Sequence, residues 1–86
     1  MKTEHKEYIA VTADYSPDGD IMPVSIEFDD RKKYRIERVL SAILMSSTKH
    51  GGNEIRYSVT IRGQHEYLYL EPGKIGKWYV IRNNDT

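Results

Sequence analysis

"YRIERVLSAILMSS", Tyr34 to Ser47, decides whether this chain is all-β or carries a helix. Two periods fit it. Ile36, Val39, Leu40, Ile43 and Leu44 recur at helical spacing, and Gly51 could stop the helix late. Tyr34 and Ile36, then Val39, Ser41, Ile43 and Met45, fit two strand phases with a slip near Arg38, as an inserted β-bulge would produce. Ala42, Leu44 and Met45 are weak strand formers, so propensity does not separate the two readings. A long bent strand over 33–46 is favoured over a helix, which stays as the alternative.

Upstream, "YIAVTADY" sets Ile9, Val11 and Ala13 on one face. "SPDGD" then supplies Pro17 with a fixed φ and Gly19 with access to positive φ, which suits a turn. "IMPVSIEFDD" places Met22, Val24, Ile26 and Phe28 on a common face, with Pro23 pointing away near a strand start. Downstream, "EIRYSVTIR" alternates most clearly: Ile55, Tyr57, Val59 and Ile61 against Glu54, Arg56, Ser58, Thr60 and Arg62. A tight "RGQH" connection makes a hairpin with "EYLYLE". "PGKIG" turns again before "KWYVIR". The spacing predicts a single all-β domain over residues 8–82, an antiparallel six-stranded meander rolled into a small barrel. Residues 1–7 and 83–86 are polar and read as flexible ends.

The ordered motifs also carry a likeness. Asp18-Gly19, Pro23 with Ile26 and Phe28, Tyr34 with Ile36 and Val39, and Lys49 with Gly51-Gly52 follow one another. Arg56-Tyr57 with Val59 and Ile61, then Trp78-Tyr79-Val80, complete the set. With this order over about residues 8–82 the chain resembles an uncharacterised family of small bacterial, Firmicutes-type proteins. His50 inside the glycine loop departs slightly from that pattern. The resemblance implies a compact β domain. It brings no activity, cofactor or catalytic residue with it.

Composition narrows the function classes. The 86 residues hold 13 Lys plus Arg and 13 Asp plus Glu, a net charge of zero. A general polyanion binder carries a basic excess, which is missing here. The sequence contains no cysteine, so thiol chemistry, Cys-based zinc sites and Fe–S clusters are excluded for this chain. "MKTEHKEY" lacks the apolar run of a signal peptide, and the longest apolar run, Ala42 to Met45, is too short for a membrane span. These features predict a cytoplasmic protein. "DYSPDGD" places Asp14, Ser16 and Asp18 like the first ligands of a calcium loop, but Ser25 stands where the bidentate Glu belongs. His5, His50 and His65 have no metal-pair spacing. Ser46, Ser47, Thr48 and His50 lie close together without any nucleophile elbow. No enzyme, cofactor or metal is expected.

Two candidate surfaces remain. "GQHEYLYLEPGKIGKWYV" divides by parity: Leu68, Leu70, Trp78 and Val80 are assigned to the core. Tyr67, Tyr69 and Tyr79 form the opposite face, a patch suited to a protein partner because tyrosine favours interfaces. The other surface is built on "RKKYRIER". Lys33 and Arg35, joined across the sheet by Arg56 and Arg62 and by nearby tyrosines, could track a single-stranded nucleic acid. Edge strands and zero net charge favour self-association. The leading expectation is a non-enzymatic binding or assembly module that forms a homodimer. The alternative is a single-stranded nucleic-acid-binding β-barrel.

Overall fold

The computed structural model describes residues 2–28, 30–47, 52–71 and 77–85. Among these there is no helix. Seven strands run β1 (Lys2–Tyr15), β2 (Ile21–Glu27), β3 (Lys33–Arg35), β4 (Arg38–Ser47), β5 (Gly52–Ile61), β6 (Gln64–Leu70) and β7 (Trp78–Asp85). They form one antiparallel sheet in the order β3-β2-β1-β7-β6-β5-β4. Read as a ring, that order is the chain order. The sheet is a meander curled into a half-barrel, and its open seam lies between the two outermost strands, β3 and β4, which are consecutive in sequence.

The deciding stretch is β, with seven strands rather than six, because the slip near Arg38 is a full break. Ile36 donates its N–H to Val24 and Glu37 donates to Thr60, so two residues step from the β2 side of the seam to β5. The bulge itself falls two residues later. Val39 pairs with Val59 and Ser41 with Ser58, leaving Leu40 as the extra residue.

β1 is the strand that holds the two halves together. Its residues 2–9 pair with β7 and residues 10–15 pair with β2. Residues 2–7 and 83–85, expected as flexible ends, are therefore partners in one ladder. The sequence hides this because "KTEHKE" has no apolar alternation; backbone pairing to β7 and the Glu7–Arg82 ion pair hold it instead. Pairing with β2 corrects a second expectation. Val11 pairs with Ile26 and Ala13 with Pro23, so β2 carries one extra residue at Val24. A one-residue slip reverses the faces. Ile26 and Pro23 are buried, whereas Met22 and Val24 are 48% and 38% exposed.

The core is Ile9, Ile26, Ile36, Tyr57, Val59, Ile61, Leu68, Leu70, Trp78 and Val80. Each such aliphatic side chain contributes about 1.5–3 kcal/mol on burial. Leu68, Leu70, Trp78 and Val80 fall where parity placed them. Tyr57 lies against Trp78 with ring centroids 5.2 Å apart. Its hydroxyl donates to the Ile21 carbonyl at 2.7 Å, so this large ring is buried without an orphaned polar atom.

Turn chemistry explains the hairpins. Asp14 is still in β1, paired with Met22, while Ser16 and Asp18 belong to a tight β1–β2 connection, in which Gly19 donates to the Ser16 carbonyl and Asp20 to its hydroxyl. Between β5 and β6, Arg62 and Gly63 have φ of 53° and 75°. Two successive positive φ values define the hairpin turn whose twist matches its strands. A Cβ on Gly63 would meet nothing within 4 Å. Gly63→Ala is therefore expected to cost about 1 kcal/mol through backbone strain alone, read as a lower urea midpoint. The "TKHGGN" and "PGKIG" turns fall largely on residues 48–51 and 72–76, outside the described residues.

Candidate functional site

The outward face of the sheet carries Tyr8, Tyr67, Tyr69 and Tyr79. Register places Tyr8, Tyr79 and Tyr69 side by side on β1, β7 and β6. Tyr69 and Tyr79 stack at 5.0 Å with planes 8° apart, and Tyr8 meets Tyr79 edge-on at 5.9 Å. The Tyr79 hydroxyl donates to Glu54 at 2.7 Å, and Tyr8 donates to Glu71. Lys6 lies 3.8 Å from Glu54 and 3.9 Å from Glu71, with its ammonium 4.5 Å from the Tyr79 ring centre. Burial, then the Glu54 hydrogen bond and charge, push the Tyr79 phenol far above its ordinary value.

This corrects the tyrosine patch. Tyr79 is only 3% exposed, so it faces its neighbours rather than a partner. Cross-strand rings on both sides and Lys6 cover it. Tyr69 is half-buried in the same stack. Tyr67 alone of the three is well exposed, at 43%. The Arg56 guanidinium sits 4.6 Å above its ring, and His65 packs against it edge-on.

The four cations do not form one surface. Arg56 lies on the outward face with Tyr67. Arg62 lies at the opposite face, its guanidinium 5.5 Å from the Tyr34 ring centre. Lys33 and Arg35 are exposed on β3, pointing away from the side taken by Tyr34. A single strand of nucleic acid would have to pass around the sheet to touch all four.

A concavity lies between β6 and β7. Among the described residues their ladder pairs Tyr69 with Tyr79 and Leu70 with Trp78, and just beyond it Glu71 donates its N–H to the Lys77 carbonyl. The same register would set Leu68 against Val80, Tyr67 against Ile81 and Glu66 against Arg82, but there the ladder has ended. β6 follows β5 through seven pairs and β7 follows β1 through eight, so the two long ladders pull the short one open. A cavity of about 530 Å³ occupies the gap. Leu68 and Val80 line it from the core side, Tyr67 and Ile81 from the outward side, and Ile26, Phe28 and Tyr34 close its far wall.

Two guanidiniums stand in that wall. Phe28 and Tyr34 meet edge-on at 5.7 Å. Arg62 covers Tyr34, and Arg82 lies 5.2 Å from the Phe28 ring centre with its Nε 3.5 Å from Glu7. Arg82 was not singled out in the sequence, and Phe28 was read there only as part of an apolar strand face and a motif. Nothing in "KWYVIR" marks the point where β7 leaves β6.

Fold and site together define a class: a half-barrel β domain split on one flank by a slot with aromatic and cationic walls. No family model, curated protein or solved structure matches the chain. Among the described residues no group of three or more His, Asp or Glu is placed to hold a metal, and no helix is long and apolar enough to cross a membrane.

Proposed function

We propose that this chain is a small non-enzymatic assembly module that forms a homodimer through β4. One observation carries the reading. Every residue from Leu40 to Ser46 is exposed, with Leu40 at 53%, Ile43 at 46%, Leu44 at 65% and Met45 at 37%. β4 is also an outermost strand of the sheet. Edge strands are normally blunted by charge, proline or brevity. β4 has ten residues and no charge after Arg38. Both of its faces are apolar, so another strand laid along its edge removes hydrocarbon on two sides at once. A second copy is the occupant that needs no further component. Antiparallel pairing about a two-fold axis is self-complementary, and uncharged identical edges bring no like charges together.

Light scattering of the purified chain is expected to give twice the 10.0 kDa chain mass at micromolar concentration. Leu44→Lys places a charge on the edge without disturbing the core, and is expected to give monomer with an unchanged far-UV spectrum. A wild-type chain that stays monomeric at hundreds of micromolar sinks this reading.

A single-stranded nucleic acid is the second reading, favoured by the exposed Tyr67 ring under Arg56, a base-stacking platform in miniature. Zero net charge and the scattered cations weigh against it. No mobility shift with single-stranded RNA or DNA at low salt eliminates it.

A further inference from the structure

We infer that the slot between β6 and β7 receives an extended, acidic peptide segment of a partner protein as an added strand. This goes beyond the dimer and uses different strands, so either reading can fail alone. The chemistry comes from the backbone. Along residues 64–68 and 80–85 two strand edges face one another without pairing, while each is paired on its other side. Such edges present alternating N–H and C=O groups at strand spacing, and another extended chain matches that repeat along its whole length.

The walls fit the same occupant. Successive side chains of a strand point to opposite faces. The slot has walls on both faces of the sheet: Leu68 and Val80 toward the core, Tyr67 and Ile81 toward the outside. A pocket for a compact molecule needs only one of these. At 530 Å³ the space is in the range of ligand sites. Charge selects the sequence. Arg62 and Arg82 flank the inner wall, and Glu66 is the acid lining the cavity among the described residues. Arg82 shares its charge with Glu7, which leaves Arg62 as the principal anchor for a peptide carboxylate. An inward-pointing Asp or Glu between apolar residues meets these requirements.

The test is panning a displayed library of random ten-residue peptides against the full chain, followed by synthesis of the enriched peptides. Enriched sequences are expected to alternate apolar residues with one or more acids. Their binding should weaken about tenfold or more in Arg62→Glu, the loss of a charge-assisted contact. Arg82→Gln, a milder change, provides a second variant, and thermal melts confirm that both are folded. On binding, amide exchange should slow at Glu66–Leu68 and Val80–Arg82. The inference is overturned if no peptide is enriched, or if enriched peptides bind both variants as tightly as wild type. Protection confined to β4 overturns it too, as does uptake of the dye 8-anilinonaphthalene-1-sulfonate with no peptide enrichment.

Discussion

Replacing Trp78 with alanine is expected to remove about 3–5 kcal/mol of stability, a large part of the roughly 5–15 kcal/mol margin of a small domain. Trp78 is 1% exposed, with Leu68 and Val59 the other fully buried large side chains. It sits where three strands meet, paired to Ile9 on β1 and to Leu70 on β6. Leu70–Trp78 is one of two pairs in the β6–β7 ladder among the described residues, so the cavity left by alanine would open beside the shortest ladder in the sheet. The relaxed neighbour would be Tyr57, whose hydroxyl ties β5 to the Ile21 carbonyl. A thin core offers few side chains to refill the space. Urea unfolding followed by far-UV circular dichroism measures the effect, because this substitution removes the only tryptophan. A loss under about 1 kcal/mol would mean that the ring does not hold the sheet together.

Tyr79→Ala is expected to cost a similar amount, about 3–5 kcal/mol, although Tyr79 lies on the face opposite the core. The ring is the middle of the Tyr8–Tyr79–Tyr69 row, and its removal leaves Glu54 and Lys6 around a hole. Tyr79→Phe keeps the row and tests the hydroxyl alone through pH. The phenol is raised above its ordinary value of about 10, chiefly by burial and then by Glu54. Tyr57 is raised as well, again chiefly by burial. A group whose folded pKa is raised contributes stability that is complete below the unfolded value and is lost as pH rises toward the folded one. The urea midpoint should therefore hold through neutral pH and fall above about pH 10. The fall should be shallower in Tyr79→Phe. Equal slopes for the two proteins would show that the Tyr79 hydroxyl is not coupled to folding.

Much of this was legible in the residues. Alternation in 54–62 determined which face was buried, because that strand has one apolar face; in 66–70 both faces are partly apolar, and parity divided them without deciding between them. "RGQH" announced the tight turn, and the central residues of that turn are Arg62 and Gly63. Trp78 and Val80 followed from parity. Errors arose where a strand changed phase or where neighbours came from afar. Met22 and Val24 share the parity of Ile26, yet the extra residue at Val24 turns them outward. Tyr79 looked exposed because its cover, Tyr8 and Lys6, lies more than seventy residues upstream.

The sequence by itself determined an all-β meander, its β1–β2 and β5–β6 turns and most of its core, since these rest on local period and local backbone preference. Tertiary structure alone decided the rest. β1 became a fourteen-residue strand because β7 offered a backbone ladder to a polar segment with no pattern of its own. "LSAILM" was left bare because the seam of the half-barrel falls beside it. The slot opened because β6 and β7 each have a longer ladder elsewhere. These three features depend on which strands compete for the same partner, and that competition is settled only when the whole sheet is assembled.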